Sequence, residues 1–280
     1  MKIAVLSGKG GTGKTLVSVN LAASADSATY VDCDVEEPNG HLFFKPENTM
    51  ETPVTVKLPV ADPDKCTGCG RCAEFCKFGA LACVKGKWML FDDVCHSCGG
   101  CSIVCPENAI SERDEALGRV ERGTSGNVDV YTGFMNIGEA SGVPVIKELL
   151  KETENAPTPL TVIDCPPGSA CTVRESIEDA DYCILVAEPT VFGAHNLSMV
   201  HELVKVFGKP FGAVLNKCMD EENPSYEFCK ENGIRILSEI PFDKTLGTLN
   251  SEGKIAVREN AAYRNLFREL LYAVEKEVRE

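Results

Sequence analysis

Short apolar runs alternate with amphipathic segments along most of the chain. Lys2–Leu6 is an apolar run that ends at Ser-Gly, as buried strands often do, and a helical pattern follows at residues 14–25. The same patterns recur downstream. They predict strands at 29–31, 160–163, 182–187, 211–215 and 235–240, and helices at 143–151, 193–207, 224–232 and 261–278. This alternation predicts an α/β fold, with a mostly parallel sheet and helices on both faces.

Two stretches between residues 35 and 113 break this alternation. Residues 35–60 contain four prolines, which predicts loop and linker. Residues 61–113, called here the cysteine-rich segment, hold nine of the fifteen cysteines. Valines among glycines at 117–132 then predict a hairpin that returns to the sheet. We therefore expect a discontinuous main domain of residues 1–60 and 114–280, with a small α+β domain inserted at 61–113.

Composition narrows the class of protein. Of the 280 residues, 44% are hydrophobic, enough for a sizeable core. The net charge of −14 argues against nucleic acid as a partner. No apolar run reaches the ~18 residues of a membrane span, and Met1–Leu6 is too short for a signal-peptide core. We expect a cytoplasmic protein without a stable membrane anchor, in which clustered cysteines bind metal rather than form disulfides.

A phosphate-binding loop follows the first strand. The motif G-x-x-x-x-G-K-[ST] is matched by Gly8, Lys9, Gly10, Gly11, Thr12, Gly13, Lys14 and Thr15. Glycines let backbone N–H groups surround phosphate oxygens, and the helix N-terminus adds partial positive charge. Lys14 is expected to reach the β- and γ-phosphates of ATP, and the Thr15 hydroxyl to bind Mg²⁺. A glycine-rich turn without a ligand is the simpler alternative.

The second lysine of this loop, Lys9, gives the resemblance to a family. The motif K-G-G-x-G-K-T resembles the deviant Walker A loop of the MinD/Mrp/nitrogenase-iron-protein family. In that family the extra lysine reaches the nucleotide of a partner subunit. The resemblance therefore implies a homodimer with ATP at its interface. An exposed loop lysine is the alternative.

Other motifs of the family follow in order at strand ends. Asp32 and Asp34 resemble its first switch, and the resemblance implies that Asp34 activates water while Asp32 lies near Mg²⁺. Asp164 resembles the Walker B carboxylate that holds a Mg²⁺-bound water, and Gly168 resembles the second switch, whose amide reaches the γ-phosphate. Two further positions resemble residues that bind adenine, Asn216 and Pro241. The catalytic set implied in this way is Lys9, Lys14, Asp34 and Asp164.

The cysteine-rich segment contains two copies of the spacing C-x₂-C-x₂-C-x₃-C, and the second copy is followed by Pro106. This spacing resembles that of bacterial two-cluster ferredoxins, in which the fourth cysteine of each run binds the other cluster. The resemblance implies two [4Fe–4S] clusters. The first would be held by Cys66, Cys69, Cys72 and Cys105, and the second by Cys95, Cys98, Cys101 and Cys76.

Some features of the cysteines leave alternatives open. Lys77 follows the first run where the ferredoxin pattern has proline, which leaves the loop geometry open. Two structural zinc sites would also use sets of four cysteines, although usually as separated pairs. Cys171, just beyond the second switch, is either a ligand or sensor at the dimer interface or a small buried side chain.

Three functions are compatible with these motifs. In the first, ATP binding and hydrolysis control electron transfer through the two clusters to or from a protein partner. In the second, the protein assembles or delivers metal–sulfur clusters. In the third, it is a spatial or regulatory ATPase with a redox sensor. Eight dedicated ligands favour the first two functions over the third.

Overall fold

The computed structural model describes residues 1–154, 156–219 and 222–279. Its strands are β1 Lys2–Leu6, β2 Ala28–Asp32, β3 Glu47–Ala61, β4 Leu81–Val84, β5 Lys87–Leu90, β6 Ile110–Ser125, β7 Val128–Met135, β8 Thr161–Asp164, β9 Tyr182–Ala187, β10 Phe211–Cys218 and β11 Ile236–Pro241. Its helices are α1 Lys14–Ser24, α2 Gly40–Phe44, α3 Arg71–Phe75, α4 Gly100–Ile103, α5 Val143–Thr153, α6 Cys171–Ile177, α7 Val191–Val206, α8 Pro224–Glu231, α9 Lys244–Ser251, α10 Ala256–Glu259 and α11 Ala261–Arg279.

One large sheet organises the main domain. Its nine strands lie in the order β11-β10-β9-β1-β8-β2-β7-β6-β3. The seven strands from β11 to β7 are parallel, whereas β6 and β3 are antiparallel additions at one edge. Helices α5–α8 contribute buried residues to one face, and α1, α10 and α11 to the other. The predicted mostly parallel α/β fold is therefore confirmed.

Residues 35–60 are not loop and linker, and that prediction was wrong. They contain the short helix α2 and most of the strand β3, which pairs along its length with β6. Pro53 and Pro59 lie inside β3. Proline cannot donate to a strand ladder, but β3 is an edge strand, and an edge strand is the position in a sheet where proline is tolerated. The prolines thus mark an edge strand here, where the sequence pattern indicated a break.

Strands β3 and β6 connect the sheet to the cysteine-rich segment. Their ladder continues to the pair Ala61 and Ile110, and the Asp62 amide donates to the Ala109 carbonyl at 2.7 Å just beyond it. The segment itself holds the two-stranded sheet β4-β5 and the short helices α3 and α4. The expected domain boundaries, at residues 61 and 113, fall within these continuous strands. The division into two domains stays a prediction.

The last helix, α11, packs one apolar stripe into the core. Phe267, Leu270 and Val274 are buried at helical spacing, as expected for a helix that covers a sheet. Within the described residues, none of the helices has the length and apolar character needed to cross a membrane.

Candidate functional site

The glycine-rich loop turns around the carboxyl end of β1. Gly13 has φ of 98°, a left-handed conformation, and an added Cβ would lie 2.1 Å from Nδ2 of Asn216. Glycine is therefore required where the loop enters α1. Asn216 is buried at the other side of this contact, and its amide donates to the Thr12 carbonyl at 2.8 Å. Asn216 therefore supports the loop, and its predicted contact with adenine stays a prediction.

Three strand ends bring the predicted charged residues together. Lys14 is 6% exposed, and its Nζ lies 2.7 Å from Oδ1 of Asp164 and 3.7 Å from Oδ2 of Asp34. Asp32 is fully buried, and one of its carboxylate oxygens accepts from the amides of Asn39 and Gly40 at 3.0 and 2.8 Å. These two hydrogen bonds connect the start of α2 to the end of β2. A phosphate or Mg²⁺ entering here would meet Lys14 and three carboxylates.

A tyrosine that the sequence did not single out completes this centre. Tyr30 is fully buried in β2, and its hydroxyl donates to the second oxygen of Asp164, Oδ2, at 2.9 Å. Its ring lies 4.8 Å from that of Phe44 in α2, measured between centroids. In the sequence Tyr30 has the pattern of an ordinary core residue, so only its partner in space reveals its role. Both oxygens of Asp164 thus have fixed partners.

Burial and mutual repulsion shift the acid–base properties of these carboxyls. Burial raises the pKa of Asp32 to about 7, and repulsion from Asp164 adds to the rise while Lys14 opposes it. Burial likewise raises the pKa of Asp34 to about 6, again opposed by Lys14. Burial by itself lowers the pKa of Lys14, but the carboxylates outweigh it, led by Asp164, and the pKa lies above its usual value. Lys14 is therefore a charged centre of the site.

A cavity of about 810 Å³ lies beside the loop. Its lining includes most of the predicted glycines together with Lys14, Thr15 and Asp34, and, from α9, Asn250 and Ser251. Pro241 is outside this lining, at the exposed end of β11. Several residues predicted to bind phosphate therefore line this cavity, and their contact with phosphate stays a prediction. The sequence analysis did not include the polar end of α9. The contact of Pro241 with the base stays a prediction.

Two other predicted residues make contacts within the chain. Lys9 is exposed, and its Nζ lies 3.2 Å from Glu188, which Lys217 also approaches at 3.4 Å. Lys217 in turn donates to the Gly11 carbonyl at 2.8 Å, a loop support that sequence reasoning missed. The Gly168 amide donates to the carbonyl of Ser7 at 2.9 Å. A contact of Gly168 with a γ-phosphate therefore requires this hydrogen bond to open.

The cysteine-rich segment contains two cavities, each lined by one of the predicted sets of four cysteines. Cys66, Cys69, Cys72 and Cys105 line the first cavity. Cys76, Cys95, Cys98 and Cys101 line the second and wider one. In both sets the second cysteine of the run is exposed and the third is buried, so the two halves repeat one arrangement. Cys171 lies elsewhere, exposed at the start of α6.

The backbone around the two cavities repeats as well. Gly70 and Gly99 have φ of 77° and 69°, and each precedes a short helix whose second residue is a buried cysteine. The Ala109 amide donates to Sγ of Cys105 at 3.3 Å. Within the described residues, no three His, Cys, Asp or Glu side chains converge closely enough for a single metal ion. The thiols instead surround the cavities.

The fold and the loop agree with the comparisons with known proteins. Residues 3–257 match the family described as the CobQ/CobB/MinD/ParA nucleotide binding domain, and the chain belongs to this family. MinD of Pyrococcus horikoshii, in complex with Mg-ADP, superposes with a TM-score of 0.61 at 18% identity, covering 98% of this chain and 96% of that one. At that identity the likeness shows the fold alone.

Two proteins of Methanocaldococcus jannaschii are similar in sequence. The uncharacterized protein MJ0579 is 26% identical over 265 residues, which cover 93% of this chain and 93% of that protein. The uncharacterized ferredoxin MJ0722 is 44% identical over 55 residues, which cover 18% of this chain and 71% of that protein. The first match extends over nearly the whole chain, and the second is confined to a short part.

Removing the Tyr30 hydroxyl tests how Asp164 is held. We expect Y30F to lower the free energy of unfolding by about 1.5–3 kcal/mol, because a buried carboxylate oxygen loses a donor. The matched control is Y182F. Tyr182 is also buried in the sheet, but its hydroxyl has no hydrogen-bond partner among the described residues, so Y182F should be neutral or stabilising. Urea denaturation measures both, and equal losses would show that packing, not the hydrogen bond, matters.

The raised pKa of Asp34 predicts a pH-dependent effect. The pKa of its carboxyl is about 6 in the folded chain against the ordinary value of 3.8. The folded chain therefore binds this proton more tightly, and the free energy of unfolding falls as pH rises through this range. Without nucleotide or Mg²⁺, D34N should therefore increase the free energy of unfolding at pH 8 and change it little at pH 4. D93N, which alters an exposed carboxylate, is the control. The same change in the free energy of unfolding at both pH values would contradict the raised pKa of Asp34.

Proposed function

We propose that this protein is an ATP-binding and ATP-hydrolysing iron–sulfur protein, in which the nucleotide state controls electron transfer through two [4Fe–4S] clusters. The observation that carries the proposal is the pairing, within one chain, of a phosphate-binding loop with two cavities whose linings each include one of the two predicted sets of four cysteines. Membership of a nucleotide-binding family supports the ATP part. The match with a ferredoxin supports the cluster part.

The nucleotide site has the residues that the proposed reaction needs. Lys14 is a buried cation at the cavity, positioned to exchange its pairing with Asp164 for phosphate oxygens. Thr15 and Asp164 are the proposed supports of Mg²⁺ and its bound water. Asp34, partly exposed at the cavity wall with a pKa of about 6, is the proposed group that orients or activates the attacking water.

The cysteine-lined cavities fit iron–sulfur clusters in the kind and number of their ligands. Each contains the four thiols of one predicted set, and close Cys-x₂-Cys turns and left-handed glycines let backbone amides approach the sulfurs. When bound, a four-iron cluster supplies reversible one-electron chemistry. The chain's own residues bind it, shield it from solvent and set its potential through nearby hydrogen bonds and charge.

The nucleotide site and the cysteine-rich segment are connected along the chain and by a hydrogen bond between elements, which supports coupling between nucleotide state and the clusters. The chain leaves the first switch through α2 and enters β3, which leads directly to the cysteine-rich segment. The Phe44 carbonyl of α2 accepts from the Ser125 hydroxyl at the end of β6, at 2.6 Å. A cavity of about 290 Å³ also lies between residues 95–97, at the second cysteine cavity, and residues 139–144 of the main domain. The chain path through α2 and β3 is therefore the proposed route by which a moving switch would reach the clusters.

Iron analysis and cysteine variants test the cluster assignment. Anaerobically purified protein should contain about eight iron atoms per chain. C69A and C98A should each lose about half of the iron, because each removes a ligand from a different set. C83A is the matched control, since Cys83 lines the first cavity without belonging to either set. Full iron content in C69A and C98A, or loss of iron in C83A, would contradict the ligand sets.

Electron release in the presence of nucleotide tests the coupling itself. After chemical reduction, oxidation by a viologen should proceed at different rates with Mg-ATP and with Mg-ADP. K14A should abolish the difference, because Lys14 is the proposed phosphate ligand. Rates that do not respond to nucleotide would argue against control of electron transfer. Nucleotide-dependent movement of iron and sulfide to an apo-ferredoxin would instead support cluster delivery.

The resemblance at Lys9 implies a homodimer, and its exposed side chain allows this role. We expect K9A to bind Mg-ATP as a monomer but to lose ATP-dependent dimerisation, because the ammonium that would reach the partner's phosphates is gone. Light scattering after gel filtration measures the mass, and calorimetry measures ATP affinity separately. A K9A protein that still dimerises with ATP would show that Lys9 is an ordinary surface lysine.

A further inference from the structure

The first cysteine cavity contains an indole side chain. Trp88, the single tryptophan of the sequence, lies in β5 directly opposite Cys83 of β4. It lines the cavity together with Cys66, Cys69, Cys72 and Cys105. It also packs against the small apolar cluster that includes the buried Cys72 and Cys101. The hairpin β4-β5 thus presents one large aromatic ring to one of the two thiol sets.

The polar atom of this ring has no ordinary partner. Nε1 of Trp88 is shielded from solvent and has no hydrogen-bond acceptor among the described residues. A buried donor without an acceptor costs about 1–3 kcal/mol, so native proteins rarely keep one without a reason. Tryptophan is normally buried only where its N–H reaches a partner.

The residues around the indole indicate which kind of atom could accept a hydrogen bond from its N–H. Cys83, its cross-strand neighbour, already donates its own thiol hydrogen to the Gly68 carbonyl at 3.0 Å. Cys72 is buried, lines the same cavity as Trp88 and belongs to the apolar cluster against which Trp88 packs. The indole therefore lies beside the thiols of the first set.

We propose that Trp88 donates its indole N–H to a sulfur of the cluster held by Cys66, Cys69, Cys72 and Cys105, and thereby raises the reduction potential of that cluster. The inference rests on the proposed function, because it needs a cluster in this cavity. The sulfurs carry more negative charge after reduction, so a donor stabilises the reduced form more than the oxidised form.

The second cavity has no tryptophan. Its aromatic side chains are Phe75 and Phe78, which have no N–H, and the titratable imidazole of His96. His96 lies there with its ring stacked on Phe78, the centroids 4.0 Å apart and the planes at 21°. Each cavity is also lined by one glutamate, Glu107 or Glu112. The first cavity thus has an indole N–H where the second has a histidine stacked on a phenylalanine. Because an indole does not titrate, its effect should not depend on pH.

Two replacements of Trp88 remove the N–H in different ways. W88F keeps an aromatic ring, and benzothienylalanine, incorporated in place of the single tryptophan, keeps the shape as well and exchanges N–H for sulfur. In both proteins, potentiometric titration followed by electron paramagnetic resonance should show one of two midpoint potentials lowered and the other unchanged. The expected change in the reduction equilibrium is up to about tenfold, or about 59 mV for one electron. It should be equal at pH 6.5 and pH 8.5.

A control variant and a direct measurement accompany these titrations. M89L alters the exposed neighbour of Trp88 in β5 and should leave both potentials unchanged. Wild-type protein labelled with ¹⁵N in its single indole should show a hyperfine coupling between that nitrogen and a reduced cluster. This measurement uses the unmodified fold, so it holds even if a Trp88 variant is unstable.

The outcomes separate this inference from the proposed function. Wild-type protein with about eight iron atoms, unchanged potentials in both Trp88 replacements and no nitrogen coupling would overturn the role of Trp88 alone. Wild-type protein that binds no iron would overturn the proposed function, and this inference with it. A potential that falls in W88F but not with benzothienylalanine would assign the effect to packing and would also contradict the proposal.

Discussion

The buried ion pair between Lys14 and Asp164 is the interaction on which the main domain depends. The two atoms that form it are 2.7 Å apart, and both side chains are almost inaccessible to solvent. A buried charge is tolerated only when its partner is in place, and loss of either partner leaves an uncompensated charge. The pair requires β1 and β8 to lie side by side, with Lys14 delivered from the loop after β1. The ion pair therefore links the pairing of β1 with β8 to the position of the loop that carries Lys14.

The same centre is where the proposed nucleotide switch would act. Asp164 is held by Lys14 and Tyr30, Asp32 holds the start of α2, and the Gly168 amide is held by Ser7. Under the proposed function, an incoming phosphate and cation would compete for Lys14 and the carboxylates, and contacts on both sides of the loop would rearrange. One of these contacts lies at the start of α2, and the chain then runs through β3 to the cysteine-rich segment. The charged centre of the site therefore lies where the chain segment that leads to the cysteine-rich segment begins.

Much of the fold and of the candidate site could be predicted from the sequence. The physical reasons for this also explain which strand and which residues were missed. The central parallel strands are covered on both faces, so they are continuous apolar runs, and β9 was predicted at its observed bounds. The edge strand β3 is largely exposed and contains prolines, so its pattern resembles a loop. The loop lysine and the cysteine runs are local motifs with fixed spacing. Tyr30 and Glu188 contact partners that are distant in sequence, and the proposed role of Trp88 depends on a cavity formed by several elements, which no local pattern reveals.

We propose that nucleotide binding and the oxidation state of the clusters are linked, and equilibrium reduction potentials can reveal this linkage. If Mg-ATP changes a midpoint potential relative to Mg-ADP, linkage requires that reduction change the relative affinity for the two nucleotides by the same factor. Both quantities are measurable on one anaerobic sample, by potentiometric titration and by calorimetry of oxidised and reduced protein. The account predicts a shift in at least one potential with the matching change in affinity. Identical potentials with either nucleotide would contradict it.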